Sequence, residues 1–248
     1  MLGVERRRLL LQHIRVAGSA RVPDLARVVG VSPSTVRRDL EQMDQRGLLT
    51  RVRGGASVVE AEAALGREAP APAARRIGRA AAELVPDGAT VLVTGGTSTT
   101  AMLDHMAGHR GLTVLTNALD VATALARRPS IPAVVLGGVL RHEDLALRGP
   151  LADAALADFH VDVGFCSAAA VDAEVGLSMR GIPAIDSDQR LLAHVPVLVV
   201  LAEPNRVGFH EPVRLASVER IDTVVTTHAA AGAAVRALRD RGVRVIQC

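Results

Sequence analysis

The chain has 248 residues, about half of them apolar, which is enough for two domains with cores of their own. It contains no lysine, so all 29 basic residues are arginine; this excludes a P-loop lysine, a Schiff-base lysine and a Ser-Lys dyad. Two cysteines, Cys166 and Cys248, exclude a disulfide framework and point to a reducing cytoplasm, and no apolar run is long enough for a signal peptide or a membrane span.

Residues 4–17 carry apolar positions at helical spacing (Val4, Leu9, Leu10, Ile14), and Gly18 stops that helix. A second helix is expected over 23–29, ended by Gly30. Ser32 then offers a capping oxygen and Pro33 fits the first helical position, so a third helix is expected to run to Arg46 and close at Gly47. Extended residues 48–53 turn at Gly54-Gly55 and return through 56–59 as a short hairpin. Two short helices meeting at a glycine turn, followed by a hairpin, make a winged helix-turn-helix. Ala26 is small enough for the helices to approach, Gly30 accepts a left-handed turn, and Val36 packs inward.

The N-terminal part of the third helix is the part that enters a major groove. Ser32, Ser34, Thr35, Arg37 and Arg38 lie there. Arginine reads guanine O6 and N7 with two hydrogen bonds, or else positions the protein on phosphate. One of Arg37 and Arg38 is assigned to a base and the other to the backbone. Arg51 and Arg53 of the wing are assigned to phosphates, with Gly54 and Gly55 allowing close approach, and Asp39 to orienting an arginine or capping locally. Charge agrees with this reading: residues 1–60 hold 11 Arg and six acids, and the chain's +3 less that +5 leaves −2 for the remainder.

Residues 60–74 are rich in Ala and Pro and read as a linker between a head over 1–59 and a body over 75–248. In the body, β-branched runs at 90–94, 112–116, 133–136, 163–168, 197–201, 222–226 and 243–246 alternate with helical stretches at 75–85, 97–107, 118–127, 150–158, 185–193 and 229–241. The runs are apolar on both faces. The expectation is a layered α/β domain around a mainly parallel sheet.

Ligands of open parallel sheets bind outside the carboxyl ends of the strands. Strand 90–94 leads into Gly95, Gly96, Thr97, Ser98, Thr99 and Thr100, a glycine and hydroxyl loop opening a helix, suited to a phosphate or carboxylate. Asn117, Gly138, Arg141, Arg148, Asp162 and Arg206 follow or flank other strands and join the candidate set, the arginines as phosphate partners. His105 and His109 are separated by Gly108, so no metal pair is expected, and no cofactor motif is present.

Ser32-x-x-Thr35-Val36-Arg37-Arg38-Asp39-Leu40, with Gly47-Leu48 and Arg53-Gly54-Gly55-Ala56, resembles the DeoR family of bacterial transcription regulators. The likeness continues through Gly95-Gly96-Thr97-x-Thr99-Thr100, Thr116-Asn117, Leu136-Gly137-Gly138, Arg141, Gly149-Pro150 and Asp162-x-x-Phe165, and so spans nearly the whole chain. It implies a sensor domain akin in fold to ribose-5-phosphate isomerases, a phosphorylated sugar or related metabolite as effector, and repression of sugar-use genes. The chain departs from the family pattern at Thr94, where an acid is common, and at Glu203-Pro204-Asn205-Arg206, where Asp-x-x-Lys is common. A dimer or tetramer is expected, because one head contacts a half-site. Two other readings stand beside this one: a sugar-phosphate isomerase or hydrolase with a DNA-binding head, and a constitutive DNA-binding protein without effector.

Overall fold

Helix α1 (Gly3–Ala17) buries Leu10 and Ile14, four residues apart and therefore on one face. Helix α2 (Val22–Val29) buries Val22, Leu25, Ala26 and Val29 and stops at Gly30, whose φ of 66° is the left-handed value that ends helices at glycine. Its N–H turns back onto the Ala26 carbonyl. Helix α3 (Pro33–Gln45) opens on Ser32, whose Oγ accepts the Thr35 N–H at 3.3 Å, and buries Val36, Leu40 and Met43. These features are those of a computed structural model, which describes residues 3–17, 19–45, 49–52, 54–57, 70–180 and 185–248. Gly18, Gly47, Arg53 and the linker over 60–69 lie outside the described residues. The chain divides into two compact units, Met1–Ala63 and Ala64–Cys248.

In the first unit a strand unforeseen in the sequence, β1 (Ser19–Arg21), joins β2 (Thr50–Val52) and β3 (Gly55–Ser57). The order is β1-β3-β2 and every pairing is antiparallel, so the wing is three-stranded rather than a lone hairpin. This corrects the role expected for Gly55. It is buried opposite Arg21, and a Cβ there would lie 2.2 Å from the Ala20 carbonyl oxygen. The close approach that requires glycine is to β1 of the same sheet. Gly54, at φ 85°, is exposed with open space around it. Gly55→Val is expected to dislodge β1 and destabilise the head by about 1 kcal/mol. Faster amide exchange at Ala20 and Arg21 is the readout, and unchanged exchange would show that β1 accommodates the side chain.

In the second unit the seven apolar runs become β4 (Thr90–Val93), β5 (Thr113–Thr116), β6 (Ala133–Val135), β9 (Val163–Ser167), β12 (Leu198–Leu201), β14 (Thr223–Thr226) and β15 (Arg244–Gln247). They form one sheet in the order β15-β14-β12-β9-β4-β5-β6, parallel at every pairing. Neighbouring residues face opposite layers. Val91 and Val93 join Ile77, Met102 and Phe165 on one side, while Leu92 meets Leu156, Leu191 and Val195 on the other. Helices α4 (Pro72–Ala82), α5 (Thr97–Met102) and α6 (Leu119–Leu125) supply the first layer; α7 (Pro150–Ala157) and α8 (Ile185–Ala193) supply the second, and α9 (Gly232–Asp240) packs Val235 and Leu238 against Leu198, Val200 and Val224. Helix α4 starts at Pro72, inside the stretch expected to be linker, because Ala74 and Ile77 already belong to the core.

Two small antiparallel pieces were not expected. One is the hairpin of β7 (Val139–Arg141) with β8 (Ala146–Arg148). The other is a sheet in which β11 (Gly176–Met179) pairs with β10 (Ala170–Asp172) and β13 (Val213–Ala216). Their three or four residues mix charged and small side chains, too few for an alternating pattern to show.

Candidate functional site

The head presents one face of α3 to solvent. Ser32, Ser34, Arg37 and Arg38 are exposed, Thr35 is half-buried, and the opposite face is core. Ser32 Oγ lies 2.8 Å from Ser34 Oγ and 2.9 Å from Thr35 Oγ1, so the three hydroxyls form a chain over the helix start. Asp39 is buried, and its partners come from α1: Arg6 Nε donates at 2.6 Å and Arg7 at 3.5 Å. The carboxylate holds the Arg6 guanidinium above its usual value through that hydrogen bond. Asp39 therefore orients α1 arginines and leaves its own neighbours alone. Among the described residues no carboxylate pairs with Arg37 or Arg38, whereas Arg27 pairs with Asp24, and Arg51 reaches Glu41 at 3.6 Å. Uncompensated guanidiniums on a helix braced from behind are placed for a polyanion.

In the second unit the strand order reverses between β4 and β9: β5 and β6 follow on one side of β4, while β9, β12, β14 and β15 lie on the other. The carboxyl ends of β4 and β9 flank the crevice that such a reversal opens. There the glycine loop meets Ser167. Thr99 Oγ1 is 3.2 Å from Ser167 Oγ, and a Cβ on Gly96 (φ 143°) would sit 2.3 Å from that oxygen. Asp120 closes the loop from below, accepting the Gly96 N–H at 3.0 Å, the Thr100 hydroxyl at 3.3 Å and the Val121 N–H at 2.8 Å. Burial nonetheless holds its carboxyl above the ordinary range, outweighing those donors. Thr97 reaches Glu203 at 3.3 Å across the mouth, and Arg206 lies exposed beside the Ala169 carbonyl.

Two family models cover most of the chain: the DeoR-like helix-turn-helix domain matches residues 6–62, and the DeoR C-terminal sensor domain matches residues 71–228. The chain belongs to the DeoR family. It is a DNA-binding transcription regulator with a C-terminal sensor domain, and relatives along its whole length are described as regulators or repressors. The HTH-type transcriptional repressor CsqR of Escherichia coli K12 is 28% identical over 99% of this chain and 96% of its own. The glycerol-3-phosphate regulon repressor of the same strain is 23% identical over 100% of both chains. Among solved structures, ribose 5-phosphate isomerase A from Neisseria gonorrhoeae aligns over 54% of this chain and 52% of that one, with a TM-score of 0.40 and 16% identity.

In this DeoR-family chain the candidate effector residues fall into three groups. Gly95 through Thr100 and Asn117 lie at the carboxyl ends of β4 and β5, and Arg206 follows β12. Arg141 and Arg148 stand on the β7–β8 hairpin, held by carboxylates of the chain. Arg141 Nε meets Asp144 at 2.8 Å; Arg148 meets Asp144 at 2.8 Å and Asp188 at 2.5 Å. The two arginines hold the Asp144 carboxyl below its ordinary range against the opposing effect of burial. Gly138, at φ 142°, serves the hairpin itself, since a Cβ would lie 2.5 Å from the Arg148 carbonyl oxygen.

Asp162 is a correction. It precedes β9, where its carboxylate accepts the Thr90 N–H at 2.8 Å, so it ties the amino ends of β4 and β9 at the edge opposite the crevice. Ser167 and Asp188 went unselected in the sequence, because nothing local distinguishes them from ordinary strand and helix residues. Among the described residues no helix is long and apolar enough to cross a membrane, and no cluster of His, Cys, Asp and Glu could hold a metal ion.

Proposed function

We propose that the chain represses genes of sugar use: α3 reads an operator, and the sensor crevice takes a phosphorylated sugar or related metabolite that changes operator affinity. The observation that carries this reading is the pair Arg37 and Arg38, exposed and without a carboxylate partner among the described residues, on a helix whose far face is fully buried. Ser34, Thr35 and one arginine are assigned to base edges, and Ser32, the other arginine, Arg51, Arg53 and Gly54 to the backbone. The working unit is a homo-oligomer in the cytoplasm, at least a dimer, since two heads span the half-sites of an operator. The crevice takes the anion at the Gly95–Thr100 loop, with Ser167 beside it. Arg206 is the remaining cation without a carboxylate partner near the mouth among the described residues. The effector acts by binding one arrangement of paired heads better than another, and operator affinity shifts by that difference.

Footprinting the protein on DNA around its own gene, with and without a panel of phosphosugars, tests the whole reading. A protected palindrome whose protection one phosphosugar alters is expected. Protection indifferent to every member of the panel would leave a DNA-binding protein with no such effector. Turnover of a phosphosugar at enzymatic rates would overturn the sensor role.

A further inference from the structure

Among the described residues three buried side-chain polar atoms meet no hydrogen-bond partner of the chain, and two of them belong to side chains bonded to consecutive residues of β8, Leu147 and Arg148. Asn117, 4% exposed, donates through Nδ2 to the Leu147 carbonyl at 3.2 Å, and its Oδ1 is one of these atoms. Asp188, 7% exposed, accepts Arg148 Nε on Oδ1 at 2.5 Å, and its Oδ2 is another. Leaving a buried acceptor unmade is unfavourable, most of all on a carboxylate, so such atoms mark places where something else donates. Burial holds the Asp188 carboxyl above its ordinary range despite Arg148.

Both residues belong to the crevice side of the sheet. Asn117 directly follows β5, and Asp188 and Arg148 are within electrostatic reach of the Cys166 thiol next to the carboxyl end of β9. The charges around them are balanced: Arg141 and Arg148 face Asp144 and Asp188. A second anion gains little from guanidiniums already held by carboxylates, and an ammonium gains little from an aspartate already paired. Neutral donors suit the place, and hydroxyl groups are such donors.

We propose that Asn117 Oδ1 and Asp188 Oδ2 form an acceptor pair for the hydroxyl groups of a polyhydroxylated ligand, with Arg148 as the residue that positions Asp188. This rests on the sensor reading above and adds specificity to it: the anionic end is held at the glycine loop, and the Arg148–Asp188 pair selects the hydroxylated body. It also reassigns Arg148, from a phosphate partner to a support for an acceptor.

Calorimetric titration of the full chain decides the matter, using inorganic phosphate, glycerol 3-phosphate, ribose 5-phosphate, glucose 6-phosphate and glucosamine 6-phosphate as probes. Asp188→Asn keeps an oxygen for Arg148 and turns the free acceptor into a donor. It is expected to weaken the tightest polyol phosphate on the order of tenfold to a hundredfold while leaving inorganic phosphate unchanged. Monodeoxy analogues of that polyol phosphate give a second readout on the unaltered protein: the deoxygenation that weakens wild type by a similar factor should be neutral in Asp188→Asn. Equal affinities in both proteins overturn the acceptor pair and leave the sensor reading standing. A uniform loss that includes inorganic phosphate overturns it too, as does an amino probe favoured through Asp188. Failure of every probe to bind wild type overturns the pair together with the sensor reading.

Discussion

Leu25→Ala is expected to unfold the DNA-binding head and leave the sensor unit intact. Leu25 is fully buried in α2, in a cluster with Leu10, Ile14, Val36, Leu40, Met43, Leu49 and Ala56. Removing a buried leucine side chain destabilises by about 2–5 kcal/mol, the lost transfer term plus the cavity. A unit of some sixty residues has a total stability of only about 3–9 kcal/mol. The loss is therefore comparable with everything the head has. The sensor unit is three times larger and holds separate clusters around Ile77 and Phe165, around Val200 and Leu238, and around Leu156 and Leu191. Differential scanning calorimetry is the appropriate measurement, since a chain without Tyr or Trp gives little fluorescence. The head's transition should fall or vanish, operator binding should go with it, and the sensor's transition should stay. A variant that binds its operator normally at 37 °C would refute the assignment of Leu25 to an independent head core.

Arg37→Ala and Arg38→Ala should separate base reading from phosphate binding. Val36, Leu40 and Met43 lock one face of α3 into the core, and Asp39, engaged with Arg6 and Arg7, braces the same side against α1. The face carrying the two arginines is thus held still, which limits the entropy lost when they meet DNA. Truncating the arginine that reads a guanine should reduce discrimination between operator and scrambled duplex by about 1–3 kcal/mol. Truncating the one on phosphate should weaken both duplexes alike and lower the salt slope by about one. Arg51→Ala should behave in the second way, because its exposed contact with Glu41 is weak and readily exchanged for phosphate. Competition binding across a salt series measures both quantities. If neither arginine changes discrimination or slope, α3 is not the reading helix.

The seven strands of the parallel sheet were legible because a strand buried on both faces must be apolar throughout, and each run carries that requirement locally. The three head helices were legible for the related reason that Gly30, Ser32 and Pro33 mark where one helix must end and the next begin. Strand β1 was not, since Ser19–Arg21 has no pattern of its own and becomes a strand only because β3 offers it an edge. The β7–β8 hairpin was hidden in the same way: its arginines read as exposed cations until Asp144 and Asp188 are seen beside them. Asp162 lies only five residues before Ser167, yet the two stand at opposite ends of β9. A strand advances about 3.3 Å per residue, so five residues separate the crevice from the far edge of the sheet.

By itself, the sequence determined the seven strands of the parallel sheet, the head helices, the basic head, the glycine loop and the family, all of which rest on side-chain chemistry within a few consecutive residues. Only the tertiary structure decided which of those residues share a site. Ser167 meets Gly96 because β9 pairs with β4 across some seventy residues, and Asp188 meets Arg148 because α8 packs beside the hairpin. Strand pairing and helix packing are settled by burial summed over the whole core, a quantity that no local stretch of sequence contains.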